Sequence, residues 1–260
     1  MTKPSVISSP SPRVSIIIPT FNNALFLPQA LDSVLNQTYT SHEIIVVDDG
    51  STDETSVVLE PYLKHIHYVY QANTGSASAR NFGMQLAKGE FVVFLDADDY
   101  FLADKLTDQV DYFDKQPNFG IINSGWHIVN KQGKTIVDVE PWLYSPQLNL
   151  ETWLLWKPIF LGAMMIRRQW LEKVSCMDSR LNQAHDVDLI LRLSLAGCKA
   201  SWLPKITVSY RRHEFNKTRN GPQQVQSIHM VLDNFFSKSN IPRKISLMEN
   251  KVRYYTSVWN

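Results

Sequence analysis

The sequence predicts a parallel, doubly wound α/β sheet, and three observations carry that prediction. Short, β-branched, almost wholly apolar runs alternate four times with segments of helical periodicity between Val14 and Leu95. This is the pattern of strands buried on both faces and joined by crossover helices. Polar clusters (PTFNN, DDGSTD, NTGSASARN and DADD) stand directly after these runs, where such sheets bind ligands, beyond the carboxyl ends of the strands. Finally, 260 residues suit one α/β domain with a substantial core and a small appendage.

Taken in order, Val14–Ile18 (VSIII) is stopped by Pro19 and reads as a central strand. Leu25–Leu35 follows with Leu27, Leu31, Val34 and Leu35 on one helical face. Ile44–Val47 is a second buried strand that ends in Asp48-Asp49-Gly50, and Ser51-Thr52-Asp53-Glu54 is a helix start with acidic residues in its first turn. His67–Tyr70 is a third strand, Ser76–Leu86 a helix of small residues, and Phe91–Leu95 (FVVFL) a fourth strand running into Asp96-Ala97-Asp98-Asp99. The second half is less regular. Gly120–Asn123, Thr135–Val139 and Gly162–Ile166 read as strands, Trp170–Val174 as a short helix, and Val187–Leu195 as a helix closed by Gly197. Residues 222–260 read as two amphipathic helices separated near Pro242. The expected organisation is a disordered leader over residues 1–12, one domain over 13–215 and a helical extension over 216–260, the domain dividing into halves 13–110 and 111–215.

Composition removes several function classes. A formal charge of +1 gives no global field for nucleic acid. Two cysteines without a CxxC pair exclude a disulfide framework and a zinc site, and suit a reducing cytosol. The Ser- and Pro-rich start lacks the apolar core of a signal peptide, and no apolar run is long enough to span a bilayer. The expectation is a cytoplasmic protein, soluble or at most attached to the inner face of the membrane.

The chemistry therefore rests on the polar strand ends. Asp96-x-Asp98 after a buried strand offers oxygen ligands for a hard cation, Mg²⁺ or Mn²⁺, of the kind shared with substrate phosphates; the plain alternative is a solvated acidic turn. Asp49 is placed to accept a hydrogen bond from a nucleobase N–H, as uracil offers, or to make a turn with Gly50. In Pro19-Thr20-Phe21-Asn22, Phe21 suits stacking on a base while Thr20 or Asn22 bonds to it; a helix entry capped by Asn22 or Asn23 is equally compatible. The small residues from Asn73 through Ser76 to Ala79 admit a ligand, or a neighbouring sheet, close to the backbone, and Arg80 supplies planar donors for a base or phosphate. His185-Asp186-x-Asp188 opens a helix whose N-terminus favours an ionised Asp186, a general base for an acceptor hydroxyl or else a cap. His213, ending Tyr210-Arg211-Arg212-His213, suits a metal or a diphosphate, or a solvated basic edge. Trp153 and Trp156 are stacking surfaces for an acceptor sugar or core residues.

Together VSIIIPTFNN, LDSVLNQTY, EIIVVDDGSTDET, NTGSASARNFGMQLAKGEFVVFLDADD, HDVDLILRL and YRRH, in this order and spacing, resemble family 2 glycosyltransferases of the GT-A fold over residues 13–215. The resemblance implies a nucleotide-diphosphate sugar donor, UDP above all, a Mn²⁺ or Mg²⁺ ion, inversion at the anomeric carbon, and a glycan or lipid-linked acceptor, with peripheral contact to a membrane in the lipid-linked case. It puts Phe21 and Asp49 on the base, Asp96 near the ribose, Asp98 and His213 at the metal and Asp186 as the base. Pro19, Thr20, Asn22, Asn73, Ser76, Arg80 and Ala97 complete the expected donor site. Two positions depart from the family pattern: His185 stands where Glu is usual, and Phe21 where Tyr is frequent. The QxxRW element of processive synthases is absent, which implies one sugar per catalytic event. A sugar-1-phosphate nucleotidyltransferase needs a Gly-rich basic loop where PTFNN stands, and neither GxGxxG nor GxxxxGK[ST] is present. A degenerate domain that only binds nucleotide or glycan is the non-enzymatic rival, and the intact acidic positions speak against it.

Overall fold

The computed structural model describes residues 11–181, 183–214, 216 and 221–258; the leader expected over residues 1–12 lies outside them up to residue 10. β1 (Val14–Thr20), β2 (His42–Asp48), β3 (His67–Tyr70) and β4 (Phe91–Phe94) form the parallel half of one sheet in the order β3-β2-β1-β4. α1 (Leu27–Leu35), α2 (Thr55–Leu59) and α3 (Ser76–Leu86) cross between them. Along β1, Ile17 joins the core on one face of the sheet, while Val14, Ile16 and Ile18 join the core on the other. Both faces are covered, which is why the strand is apolar throughout instead of alternating.

Past β4 the sheet becomes mixed. β8 (Met165–Arg167) lies antiparallel to β4 and to β6 (Ile121–Val129). β9 (Ala200–Arg211) runs parallel to β6, β5 (Tyr100–Phe101) closes the edge against β9, and β7 (Thr135–Val139) pairs with β6. α4 (Lys105–Lys115), α5 (Leu150–Leu155), α6 (Arg168–Lys173) and α7 (His185–Leu195) surround this half. α7 ends as the sequence suggests: Gly197 takes φ +90°, its N–H donates to Ser194 O, and the Cys198 N–H reaches back to Leu193 O. After it come α8 (Gly221–Phe236), α9 (Arg243–Ser246) and α10 (Glu249–Val258). Ile228, Leu232, Phe235 and Val252 enter the same core as Leu189 and Leu193 of α7, so these helices extend a shared apolar layer. Among the described residues no helix is long and apolar enough to cross a membrane.

Several elements differ from expectation for local reasons. The strand expected over Gly162–Ile166 starts only at Met165, because Leu161–Ala163 makes a tight 3₁₀ turn. α4 is not among the expected elements, although Leu106, Val110 and Phe113 stand at helical spacing; its buried side also takes in Lys105 and Gln109. In β9, Pro204 and Lys205 interrupt the apolar pattern, and its pairing with β6 shifts register around Gly125. Trp153 is 1% exposed and belongs to the core, whereas Trp156 sits at the surface with its ring edge-on to Tyr255 at 5.8 Å.

The small residues of α3 serve close packing on the sheet. A Cβ at Gly83 would stand 2.4 Å from Ile17 Cγ2 of β1. Alanine would gain about 1 kcal/mol of helix propensity, but pushing apart a fully packed strand and helix costs more. Gly83→Ala should therefore destabilise the protein by about 1–3 kcal/mol in urea unfolding; a stabilised variant would mean that Ile17 yields freely.

Candidate active site

Beyond the carboxyl ends of β1, β4, β6 and β9 lies a cleft of about 970 Å³. Its donor-side wall is assembled from three distant segments. Ser76 and Arg80 come from the start of α3, Asp96 from the turn after β4, and His185 and Asp186 from the start of α7. Arg80, 5% exposed, joins them: Nη2 donates to Asp96 Oδ1, and Nη1 lies 2.9 Å from His185 Nε2. Because a guanidinium only donates, His185 faces it as a neutral acceptor at Nε2. Ala184, in the left-handed region at φ 57°, turns the chain into α7, so Asp186 lines the cleft in the first helical turn. Among the described residues Asp186 caps no distant N–H: its Oδ1 accepts from the adjacent Val187 N–H at 2.8 Å, while Asp188 is held by Arg192.

The three acids after β4 have separate fates. Asp96 meets Arg80 and keeps contact with the cleft. Asp98 turns beneath, where its Oδ2 meets His213 Nε2 at 2.9 Å and Asn216 Nδ2 at 3.3 Å. Asp99 is wholly buried and accepts the Arg211 N–H at 2.8 Å, its other oxygen without a partner. Burial first, and then the charge of Asp96, raises the Asp98 carboxyl above its ordinary range, against the lowering effect of His213. Burial, with Asp98 and Asp96 beside it, holds Asp99 well above that range. The His213 ring packs on Phe26 at 4.8 Å, and Arg211 donates from Nε to Asp98 O and from Nη1 to Lys131 O, both at 2.8 Å.

Among the described residues no group of three or more His, Cys, Asp or Glu side chains is gathered for a metal. Asp98 and His213 nevertheless fit one. An imidazole nitrogen and a carboxylate oxygen converge, and the carboxyl is costly to ionise because it is buried and lies close to Asp96. That is a partial shell which a divalent cation would complete with phosphate oxygens and water.

Of the expected donor-site residues, Ser76, Arg80, Asp96, Asp186 and His213 line this cleft and Asp98 lies behind His213. The others take different places. Asp49 is 3% exposed; its Oδ1 accepts from Gln71 Nε2 (2.7 Å) and the Thr74 N–H (2.9 Å), and its Oδ2 from the Gly75 N–H (2.8 Å). It anchors the loop into α3. Asn22, at φ 51°, likewise spends its side chain on the Thr52 N–H, tying the end of β1 to the loop after β2. Pro19, Thr20 and Ala97 are buried, and Asn73 is exposed with its backbone against Gly50. Phe21 is 46% exposed at the strand end, outside the cleft wall. On the opposite wall the sequence reading missed Trp126, Phe160 and Gln183; Trp126 and Ile128, two apart on β6, were the available signal.

Residues 15–175 match the family described as Glycosyl transferase family 2. The chain belongs to glycosyltransferase family 2. A glycosyltransferase of Rickettsia typhi, itself uncharacterised, is 31% identical over 232 residues, which cover 88% of this chain and 73% of that one. Bacillus subtilis EpsJ, also uncharacterised, is 30% identical over 67% of this chain and 54% of its own. Among solved structures, residues 1–349 of Staphylococcus aureus TarS in complex with UDP-GlcNAc align with TM-score 0.74 at 19% identity, over 93% of this chain and 70% of that one. The mannosyltransferase PcManGT of Pyrobaculum calidifontis, in complex with GDP-Man and Mn²⁺, aligns with TM-score 0.69 at 20% identity, over 94% and 70%. The fold is GT-A, and the chain is a glycosyltransferase.

The raised Asp98 carboxyl has a stability consequence. The folded chain holds this proton more tightly than the unfolded chain, so ionising Asp98 at neutral pH costs stability. Asp98→Asn should raise the Tm of the metal-free protein at neutral pH, and the gain should shrink in acid, where the wild-type carboxyl regains its proton. An unchanged or lower Tm at neutral pH would refute this.

Proposed function

We propose that this glycosyltransferase moves one sugar from a nucleotide-diphosphate donor, a UDP-sugar, to a hydroxyl of a glycan or lipid-linked acceptor with inversion, at the cytoplasmic face of the cell. The observation that carries the proposal is the meeting of Asp186, which caps no distant N–H, with Arg80, Asp96 and His213 in one cleft, although the four lie far apart in sequence. The complexes of TarS with UDP-GlcNAc and of PcManGT with GDP-Man and Mn²⁺ support this class of donor.

In this mechanism Arg80 and Asp96 hold the nucleoside side of the donor, and Arg80 keeps Asp96 in a fixed rotamer. Asp98 and His213 hold the divalent ion, Mn²⁺ or Mg²⁺, which when bound supplies positive charge against the departing diphosphate. Asp186, in the first turn of α7, takes the proton from the acceptor hydroxyl as that oxygen attacks the anomeric carbon. The attacking oxygen approaches from the face opposite the diphosphate, so configuration inverts and no covalent sugar–enzyme bond forms. His185 keeps the first turn of α7 against Arg80, fixing the base relative to the donor.

Asp186→Asn should lower transfer by about 10³-fold, the middle of the range for loss of a general base, while UDP affinity with Mn²⁺ stays unchanged by calorimetry. Transfer at the wild-type rate would remove Asp186 from the role of base. Asp98→Ala should abolish the Mn²⁺-dependent part of UDP binding; metal-dependent binding that survives would dismiss the Asp98–His213 site.

A further inference from the structure

The cleft has a second wall that the donor groups leave unused. Trp126 and Ile128 project into it from β6 and Val139 from β7, with Phe160 from the turn before β8 and Tyr210 near the end of β9. The three rings are locked edge-to-face, Trp126 on Phe160 and Phe160 on Tyr210, each at 5.4 Å with interplanar angles of 62° and 73°. All three are half-buried, so part of each surface faces the cleft. Rings that brace one another in this way keep their exposed faces without collapsing inward. Gln224 also lines the cleft and brings an amide donor and acceptor to it.

We infer that this wall is the acceptor subsite and that the acceptor presents a pyranose ring to it, so that the sugar is added to an existing glycan unit and not to a bare lipid phosphate. The inference rests on the reading of the cleft as a glycosyl-transfer site. Sugar rings carry C–H groups on their faces and hydroxyls at their edges, which pair with aromatic faces and with amides respectively. An acceptor phosphate would instead need uncompensated cations beside the base. Here Lys131 is already paired with Glu214 at 2.7 Å, and Asp186 and Glu214 add negative charge to the lining. Arg212 also lines the cleft, but Arg80, Lys131 and Arg212 are matched there by Asp96, Asp186 and Glu214, so the lining carries no excess of cations. The cleft is continuous from Arg80 to Trp126 and is at the upper end of ligand-site volumes, enough for a donor and one acceptor ring together.

The test separates the two halves of the cleft. Full-length wild type, Trp126→Ala, Phe160→Ala and Trp126→Phe are titrated with UDP and Mn²⁺ by calorimetry. With UDP and Mn²⁺ saturating, each is then probed by saturation-transfer NMR with methyl β-glucoside, methyl β-galactoside, methyl α-mannoside and methyl N-acetyl-β-glucosaminide, and separately with farnesyl phosphate. At least one glycoside should bind wild type saturably. Both alanine variants should bind that glycoside about tenfold more weakly and Trp126→Phe within about threefold, as expected for loss and retention of an aromatic face. UDP affinity should stay level in all four. Farnesyl phosphate binding while no glycoside does, or glycoside affinity unchanged in both alanine variants, would overturn the inference. Failure of wild type to bind UDP would instead strike the donor reading on which the inference rests.

Discussion

One buried guanidinium holds the two ends of this active site together. Arg211 is 2% exposed and closes β9, and its donors reach the carbonyls of Asp98 and Lys131, the side chain of Gln29 and, through its own N–H, Asp99. Its flat faces lie against Phe26 at 4.9 Å and Tyr100 at 5.3 Å. A planar fork with fixed donors suits such a position and a flexible ammonium does not. Through these contacts the end of β9, which carries His213, is held against the turn after β4, which carries Asp98. Without that fixation the two side chains that converge at 2.9 Å would belong to independently moving strand ends.

The same constraint explains which parts were legible in the sequence. β1, β2 and β4 announced themselves because burial on both faces demands continuous β-branched and aromatic residues, and nothing but Pro or a polar turn can stop such a run. The acids after β4, and Asp186 at the start of α7, were legible because a polar cluster directly after a buried strand, or at a helix start, has few structural uses. Asp49 has a second use that its local sequence does not show. A carboxylate at a strand end serves equally well as an anchor for the next loop, and the N–H groups of Thr74 and Gly75 that decide the matter are invisible until that loop is in place.

What stayed illegible depends on partners distant in the chain. β9 alternates apolar and polar residues over Ile206–Tyr210, but Thr207 and Ser209 are buried together with Val208, and its register on β6 is broken at Gly125, so the alternation does not tell which face is inside. α4 buries Lys105, whose ammonium lies over the Phe101 ring at 4.9 Å and reaches Thr207 Oγ1, and burial drives its pKa well below the ordinary lysine value. Leu106, Val110 and Phe113 still stand at helical spacing on the same side, so α4 keeps the stripe of an amphipathic helix and what the stripe does not announce is the buried lysine beside it. The aromatic wall was hidden because Trp126, Phe160 and Tyr210 come from three separate segments, and single aromatics read as core until their exposed faces are found turned to one space.

Three neighbouring acids therefore illustrate how little a motif decides alone. In Asp96-Ala97-Asp98-Asp99 the side chains differ only in what the rest of the chain sets against them: a guanidinium from α3, an imidazole from beyond β9 and a backbone N–H of β9. The fold keeps carboxylates this close at a cost, since burial and mutual repulsion push two of them toward the protonated form. Only Asp96 is matched by a full positive charge held in place by the protein. The remaining deficit lies at Asp98, beside the one imidazole bonded to these acids, and a cation arriving with a diphosphate would relieve it. In the proposed mechanism, stability given up at Asp98 would return as affinity for that cation.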